Sequence, residues 1–206
     1  MKAFRRARGA YVARLTDDER YVLAAAASDV ASMLDDDEAP ATDDLLAGLA
    51  HDLARPTPRP DDPAVRRLLP DASRDDEELA AEFRRLTQAD LRASKSAGLR
   101  RLATVLTDRP GKRPSEVVVD RTEARALASA ITDIRLVIAE RLEIRTDEQA
   151  EAIYDVDAVP EGARQLVAIY GALSWMQESL VTLMLDDARA ASDVTPPDPS
   201  SGGPSR

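Results

Sequence analysis

The chain has 206 residues, and 38 acidic residues against 28 Lys and Arg give it a net charge of -10 at pH 7. This charge argues against broad nucleic-acid binding, which needs a basic surface, and against an anchor on anionic lipid. Cysteine is absent, which excludes disulfides, thiolate metal ligands and thiol nucleophiles. The length suits one domain with a hydrophobic core.

The N-terminal third predicts a hairpin followed by helices. Two short strands are expected at about 3–7 and 10–15, with Gly9 in the turn between them. Thr16 and Glu19 form a capping-box pattern, which predicts the start of a helix that ends near Leu34. Shorter helices are expected at 42–53 and, after a proline-rich loop, at 63–69.

The stretch 75–106 has a helical pattern whose phase slips. Leu79, Phe83 and Leu86 share one face, whereas the apolar residues from 91 to 106 share another. Because one straight helix would then need two apolar faces, we predict two helices with a bend near residues 87–88. A short strand is expected at 116–119.

A helix capped by Asp120 should follow this strand. Its core stripe has the 4-3-4 spacing of one buried helix face: Leu127, Ile131, Ile134 and Ile138. Thr146 and Gln149 form a second capping box, and Pro160 suits the start of the last helix. The sequence therefore predicts a mainly α fold, a helical bundle with a small antiparallel sheet, as one domain over 1–188 with a disordered tail at 189–206.

The last helix carries one charge, Glu178, between residues 165 and 185. A helix without a charged side is usually buried all round, so we expect it to be the central helix or to lie in an oligomer seam, as in a homodimer. A buried Glu178 should pair with an arginine, most simply Arg135. The alternative is an enzyme centred on Glu178 as a proton-transfer acid, although no second catalytic group is evident.

No cofactor or metal site is expected. His51 has neither a second histidine nor a cysteine with which to share a metal ion. The acidic runs at 35–38 and 75–78 lack the glycine and the ligand spacing of a calcium loop, and no phosphate-binding glycine motif is present.

Basic residues cluster at two places in this acidic chain. The hairpin has four arginines that could contact an acidic protein or nucleic acid: Arg5, Arg6, Arg8 and Arg14. A second cluster lies between 84 and 101. The simplest interpretation is a set of solvated side chains balanced by the protein's own acidic residues. Contact with a protein partner is the next, and DNA binding by the hairpin the last.

Three segments together resemble a known family: residues 62–71, which read DPAVRRLLPD, residues 133–136 and residues 175–181. They are similar to an actinobacterial family of uncharacterised domains that includes the oxidative-stress regulator AosR and is often encoded near the protease adaptor ClpS. The residues that carry the resemblance are Arg66, Arg67, Leu68, Pro70, Asp71, Asp133, Arg135, Trp175, Gln177 and Glu178.

The resemblance implies a regulatory protein that acts through protein partners in transcriptional or stress control, not a metabolic enzyme. Because this chain lacks cysteine, any oxidant-sensing thiol would have to belong to another protein. No secretory signal is evident at the N-terminus, and the polar residues at 177 and 178 make the last helix a poor membrane span. We therefore expect a cytoplasmic, non-catalytic protein that binds a protein partner, with no membrane contact and no tight DNA binding of its own.

Overall fold

The computed structural model describes residues 1–36, 57–73, 75–108, 115–153 and 159–192. The described strands are β1 (Lys2–Ala7), β2 (Ala10–Arg14) and β3 (Glu116–Asp120). The described α-helices are α1 (Asp17–Asp36), α2 (Pro63–Leu68), α3 (Glu77–Thr107), α4 (Ala124–Arg141), α5 (Asp147–Ala152) and α6 (Arg164–Ser192). The mainly α fold with a small antiparallel sheet is confirmed. The expected helix at 42–53, with His51, and residues 193–206 lie outside the described part.

The sheet has the order β1-β2-β3 and is antiparallel throughout. Arg8 (φ 54°) and Gly9 (φ 79°) join β1 to β2. Positive φ at both central residues matches a type I′ turn, whose twist suits a two-residue hairpin. Tyr11 pairs with Val119 across β2 and β3, so the hairpin is joined to a strand more than 100 residues away in the sequence.

Helix α4 lies at the centre of the domain. Its predicted stripe at 127, 131, 134 and 138 is buried, as expected. Lys95 of α3 contacts Asp133, whereas Arg101 contacts Glu123, so α3 runs antiparallel to α4. Helix α6 packs on another side of α4, also antiparallel, and α2 packs near the C-terminal end of α4. The core of the domain is therefore built around α4 rather than around the last helix.

Side-chain caps explain where several helices begin. Both predicted capping boxes are confirmed, Thr16 with Glu19 and Thr146 with Gln149. The prediction that Asp120 caps α4 is wrong. Asp120 ends β3 and accepts hydrogen bonds from the backbone N–H and the hydroxyl of Thr122, whereas α4 begins after Glu123 without a side-chain cap.

The predicted bend near 87–88 is also wrong, because α3 is one helix of 31 residues. Leu79, Phe83 and Leu86 are 55%, 46% and 60% exposed, so they do not form a second core face. The first half of α3 instead buries a polar face on the same side as the apolar face of the second half. The buried residues of that first half include Arg84, Gln88, Arg92 and Ser96.

The last helix is not buried all round, contrary to expectation. Four residues of α6 are buried, namely Tyr170, Leu173, Met176 and Leu180. The segment 161–192 is long and apolar enough to cross a membrane by length and composition, yet its buried residues belong to the core of the domain. Its helix also continues to Ser192, four residues beyond the predicted domain end at 188.

Arg20 connects three elements from inside the fold. Its side chain is 3% exposed. Nε donates to the carbonyl of Leu106 at 2.7 Å and Nη1 donates to the carbonyl of Glu116 at 3.2 Å, while Nη2 donates to the carbonyl of Asp108. Two of these carbonyls lie at the C-terminal end of α3, where helix carbonyls lack intrahelical partners. One guanidinium therefore joins α1, the end of α3 and β3.

Replacing Arg20 with Met should lower the free energy of unfolding by about 3 kcal/mol, because buried carbonyls would lose their charged donor. Urea denaturation followed by circular dichroism measures this loss. Arg125→Met is the matched control, since Arg125 is exposed on α4 and should tolerate the change within about 0.5 kcal/mol. Equal midpoints for the two variants would show that Arg20 does not join these elements.

Candidate interaction surfaces

Three of the four hairpin arginines are bound to acidic residues of the domain itself. Arg5 and Arg14 both approach Oε1 of Glu116, at 3.4 and 3.2 Å. Arg6 contacts Asp187 at 2.7 Å and Asp186 at 3.4 Å, and it also donates to the carbonyl of Leu183. These side chains are partly exposed, but their charge is largely balanced within the fold. They fit the simplest interpretation of the basic hairpin.

The end of α6 is anchored to the sheet through Asp187. The Tyr11 hydroxyl donates to this carboxylate at 2.5 Å, and Arg121 approaches it at 3.4 Å. The hydrogen bonds from Tyr11 and Arg6 lower the pKa of Asp187, while burial and this carboxylate raise the pKa of Tyr11. Arg121 also lies over the Tyr11 ring, 5.6 Å from its centroid. Asp187 thus binds two arginines, Arg6 and Arg121, in contacts that hold the domain together.

The outer edge of β1 is not free along its whole length. The backbone N–H of Phe4 donates to the Ser179 hydroxyl of α6 at 3.3 Å. The side chain of Phe4 is itself part of the core. The hairpin therefore offers less open strand edge to a partner than two isolated strands would.

Arg8 differs from the other hairpin arginines. It is exposed at the tip of the turn and makes no ion pair with any described residue. Its positive φ is a conformation that costs a non-glycine residue about 1 kcal/mol or more. Of the four candidate partner-binding arginines, Arg8 is the one whose charge remains available.

The side chains of the second basic cluster also bind partners within the domain. Arg84 is 7% exposed and bridges Asp71 and Glu77 at 2.5 and 2.8 Å. Arg92 is buried and donates to the carbonyl of Leu34, so it links α3 to α1. The remaining contacts are Arg85 with Glu82, Lys95 with Asp133, Arg100 with Asp35, and Arg101 with Glu123. This cluster is a set of structural ion pairs, not a free basic surface.

The Arg-Arg-Leu-Leu-Pro segment is structural. Arg66 donates to the carbonyls of residues 60 and 61, which closes the loop before α2. Arg67 contacts Glu140 of α4 at 2.8 Å, and Arg145 binds the same carboxylate, which lowers the pKa of Glu140 to about 2. Leu68 is buried, Pro70 is exposed and ends the segment, and Asp71 holds Arg84.

Asp133 is the most buried acid of the described residues, with 3% exposure. Burial raises the pKa of its carboxyl group, and the Lys95 ammonium at 2.5 Å opposes that rise. An ion pair this deep is costly to break because one charge would be left without a partner. The pair fixes the register of α3 against α4.

The predicted pair between Glu178 and Arg135 is wrong. Arg135 instead donates to Oε1 of Gln177 at 2.5 Å and to the Tyr170 hydroxyl at 3.3 Å, and its guanidinium lies over the Tyr170 ring. Gln177 in turn donates to the carbonyl of Ala128 and to Thr132, which joins α6 to α4. Glu178 is exposed and has no ion pair with any described residue. The helix needs no charge partner for it because the carboxylate reaches solvent.

Two surface hollows have no evident catalytic pair. One lies between α1 and α3 and is lined by residues such as Tyr21, Ser28, Arg100 and Thr104. The other is lined by residues around Leu142, Gln149 and Val167. Glu178, on which the enzyme alternative depends, lines neither hollow. Within the described ranges, no group of three acidic or histidine side chains is placed to hold a metal ion.

Two outward faces are apolar. On α3, Leu79, Phe83 and Leu86 form a stripe opposite the buried face. On α6, the outward side includes Trp175, 39% exposed, and Leu185, 50% exposed. The sequence groups Leu79, Phe83 and Leu86 on one face and assigns it to the core, whereas for the last helix it leaves open a central position or an oligomer seam. These two faces are the candidate interaction surfaces. We term them the α3 stripe (Leu79, Phe83 and Leu86) and the α6 face (the outward side of α6 that includes Trp175 and Leu185).

Lys95→Met should destabilise the domain by about 2–3 kcal/mol at pH 7, because Asp133 would remain charged without a partner. The loss should shrink as the pH falls. A carboxyl whose pKa is raised in the folded state destabilises folding above that pKa, and protonation removes the penalty. Urea denaturation at pH 7 and pH 4 measures the effect, with Arg85→Met of the exposed Arg85–Glu82 pair as the control. A deficit of equal size at both pH values would contradict this account.

Arg8→Asn should raise the free energy of unfolding by about 0.5–1 kcal/mol, because asparagine tolerates a positive φ better than arginine does. Thermal and urea denaturation measure the gain. Arg5→Asn is the control, since Arg5 lies in an extended strand and should gain nothing. If Arg8→Asn is no more stable than the wild type, the turn is not strained at this position.

Comparison with known proteins identifies one family. The family model of DUF2017, a domain of unknown function, matches residues 1–184. That range includes the hairpin, α1 to α5 and most of α6. No curated protein and no solved structure matches the chain significantly. Because the family model covers most of the sequence, the chain belongs to the DUF2017 family.

Proposed function

We propose that this chain is a cytoplasmic regulatory protein without catalytic activity, and that it acts by binding a protein partner through the α3 stripe. The observation that carries the proposal is the exposure of three large apolar side chains in one row, Leu79, Phe83 and Leu86. Such contiguous apolar surface is uncommon outside interaction sites.

The geometry of α3 explains why the described part of the domain leaves this stripe exposed. The residues are spaced by four and three, so they stand above one another over about 10 Å of helix. Ala80, Arg84 and Gln88 of the same segment point to the opposite side and are buried. Rotating the helix to hide the stripe would expose that polar face and break the Arg84 contacts with Asp71 and Glu77.

The charges around the stripe indicate the chemistry of the partner. Glu78 and Glu82 lie on the flank of the stripe, and Asp90 continues its row one turn further. Arg85 is the cation nearest to this flank, and its charge is paired with Glu82. An apolar row with acidic margins suits a basic amphipathic helix of another protein, whose apolar side chains would pack on the stripe.

The hairpin remains the rival contact surface. Arg8 supplies one available positive charge there, whereas Arg5, Arg6 and Arg14 are held by acidic residues. DNA binding by this hairpin is disfavoured, because Lys2 and Arg8 are its only described cationic side chains without an ion pair, and two such charges on a chain of net charge -10 give little phosphate attraction. A role in transcriptional or stress control follows only from the family resemblance. It would operate through the partner, since the chain has no thiol to sense an oxidant.

The test is a comparison of two variants in partner capture from the native cell. Leu79→Gln, Phe83→Gln and Leu86→Gln together remove the α3 stripe, and Arg8→Asn removes the free hairpin charge. We expect the stripe variant to keep the wild-type melting temperature and to lose specific partners, because these side chains are already half exposed. Arg8→Asn should retain those partners.

Quantitative mass spectrometry measures the amount of each captured protein, and the melting temperature of each variant is the folding control. Capture that is unchanged by the stripe variant would refute the docking surface. Loss of capture with Arg8→Asn alone would place the contact on the hairpin. A large fall in melting temperature of the stripe variant would show that these residues belong to the core.

A further inference from the structure

Among the residues that the structure describes, the α6 face is a second surface without a partner, independent of the α3 stripe. Only 22% of the most apolar part of segment 161–192 is buried within the domain. A core helix would be mostly buried, and a solvated helix would carry charges on its outer side. Helix α6 fits neither description. It is mostly unburied, yet its outward side has one charged residue, Glu178, in the five turns between Ala168 and Leu185.

The outward residues follow the spacing of a helix-pairing seam. Their separations are three, four, three, four and three, the pattern of positions a and d in a heptad repeat. The six residues are Ala168, Gly171, Trp175, Glu178, Thr182 and Leu185. All of them lie away from the buried row at 173, 176 and 180, so a second helix can approach without displacing α4 or β1.

We propose that a second copy of this chain packs on the α6 face, with the two α6 helices antiparallel about a two-fold axis between Met176 and Gln177. This symmetry maps the outward row onto itself. Leu185 then lies opposite Ala168 of the partner subunit, and Thr182 lies opposite Gly171 of the partner subunit. Larger side chains thus meet small ones in the outer pairs of the seam, whereas the central pair joins two large side chains, Trp175 and Glu178 of the partner subunit.

The antiparallel register also gives complementary polar contacts. Trp175 lies opposite Glu178 of the partner subunit, so the indole N–H can donate to that carboxylate twice per dimer. Within the described residues, neither the indole N–H nor the Glu178 carboxylate has a hydrogen-bonding partner. A parallel pair would instead place Glu178 beside Glu178 of the partner subunit, where like charges repel.

The ends of the seam carry both charges. Glu161 and Arg164 precede the apolar row, whereas Asp186 and Arg189 follow it. In the antiparallel register, Arg164 lies opposite Arg189 of the partner subunit, and Asp186 of the partner subunit, which contacts its own Arg189, lies about one turn away between the two guanidiniums. Acidic and basic residues therefore lie at both ends of the seam and Glu178 lies near its centre, and charged groups in this row favour a second copy over a lipid surface. The overall charge of -10 also opposes anionic lipid.

Sedimentation equilibrium of the full chain tests the dimer, with Trp175 fluorescence as a local probe because the chain has one tryptophan. The wild type should form dimers at tens of micromolar, and its tryptophan emission should shift to the blue as the dimer forms. Ala168→Glu should raise the dissociation constant at least about tenfold, because it places a charge against an apolar side chain. Ala89→Glu on α3 adds the same charge outside the seam and should leave the dimer intact.

Cross-linking tests the register, and the absence of native cysteine makes it specific. A short bis-maleimide should link an equimolar mixture of Ala168→Cys and Leu185→Cys chains, whereas either variant alone should not cross-link. Cross-linking of each variant alone would overturn the antiparallel register. A wild type that stays monomeric at several hundred micromolar would overturn the dimer.

Two further measurements distinguish a dimer through the α6 face from a dimer through α3 and from membrane binding. If Ala168→Glu dimerises as the wild type does but the α3-stripe variant does not, the self-contact lies on α3 and the proposal fails. Binding of the wild type to neutral phosphatidylcholine vesicles, with Ala168→Glu unable to bind, would assign the α6 face to a membrane instead. Because the dimer is measured with purified protein, its failure leaves the proposed partner binding by the α3 stripe unaffected.

Discussion

The guanidinium of Arg20 satisfies backbone carbonyls that the architecture itself leaves without partners. Helix α3 ends at Thr107, so the carbonyls of its last turn need donors from elsewhere. Arg20 reaches Leu106 and Asp108 at this end and Glu116 at the start of β3. This contact positions α1 along α3 and holds the strand that completes the sheet. The hairpin, the centre of the bundle and both exposed helix faces depend on that arrangement.

The interior of the domain is unusually polar along α3. Arg84, Arg92 and Asp133 are buried, and each is matched by an acidic group, a carbonyl or Lys95. A buried charge is tolerable only when such partners are present, so these contacts fix how α3 can rotate against α1 and α4. The same rotation turns Leu79, Phe83 and Leu86 outward. The exposed apolar stripe is thus a physical consequence of the polar interior.

The sequence predicted local features well, because capping and strand signals depend on near neighbours. The capping boxes at Thr16 and Thr146, the three-stranded sheet and the buried stripe of α4 are all confirmed. What periodicity could not indicate is the direction in which a face points. It grouped Leu79 with Phe83 but assigned that face to the core, and for the helix with Trp175 it could not decide between the core and an oligomer seam.

The errors at Glu178 and at the bend in α3 share this cause. Each rested on the assumption that apolar residues face inward and that a lone charge needs a partner inside. Arg84 and Gln88 in α3 show the reverse pattern, since both are buried, and Arg84 is held there by a partner at a distant position, Asp71. The role of Arg20 was missed for a different reason, since its acceptors lie more than 85 residues away in the sequence. The hairpin arginines, in contrast, fit the simplest interpretation, except for Arg8.

We propose that the charged groups of this domain are used to build it, which leaves the α3 stripe free to contact a protein partner. Amide hydrogen exchange of the chain, free and saturated with a captured partner, tests this claim most directly. The account predicts slower exchange for the amides of residues 77–91 in α3, with unchanged exchange in the hairpin at 2–14. Protection confined to the hairpin, with no change in α3, would contradict it.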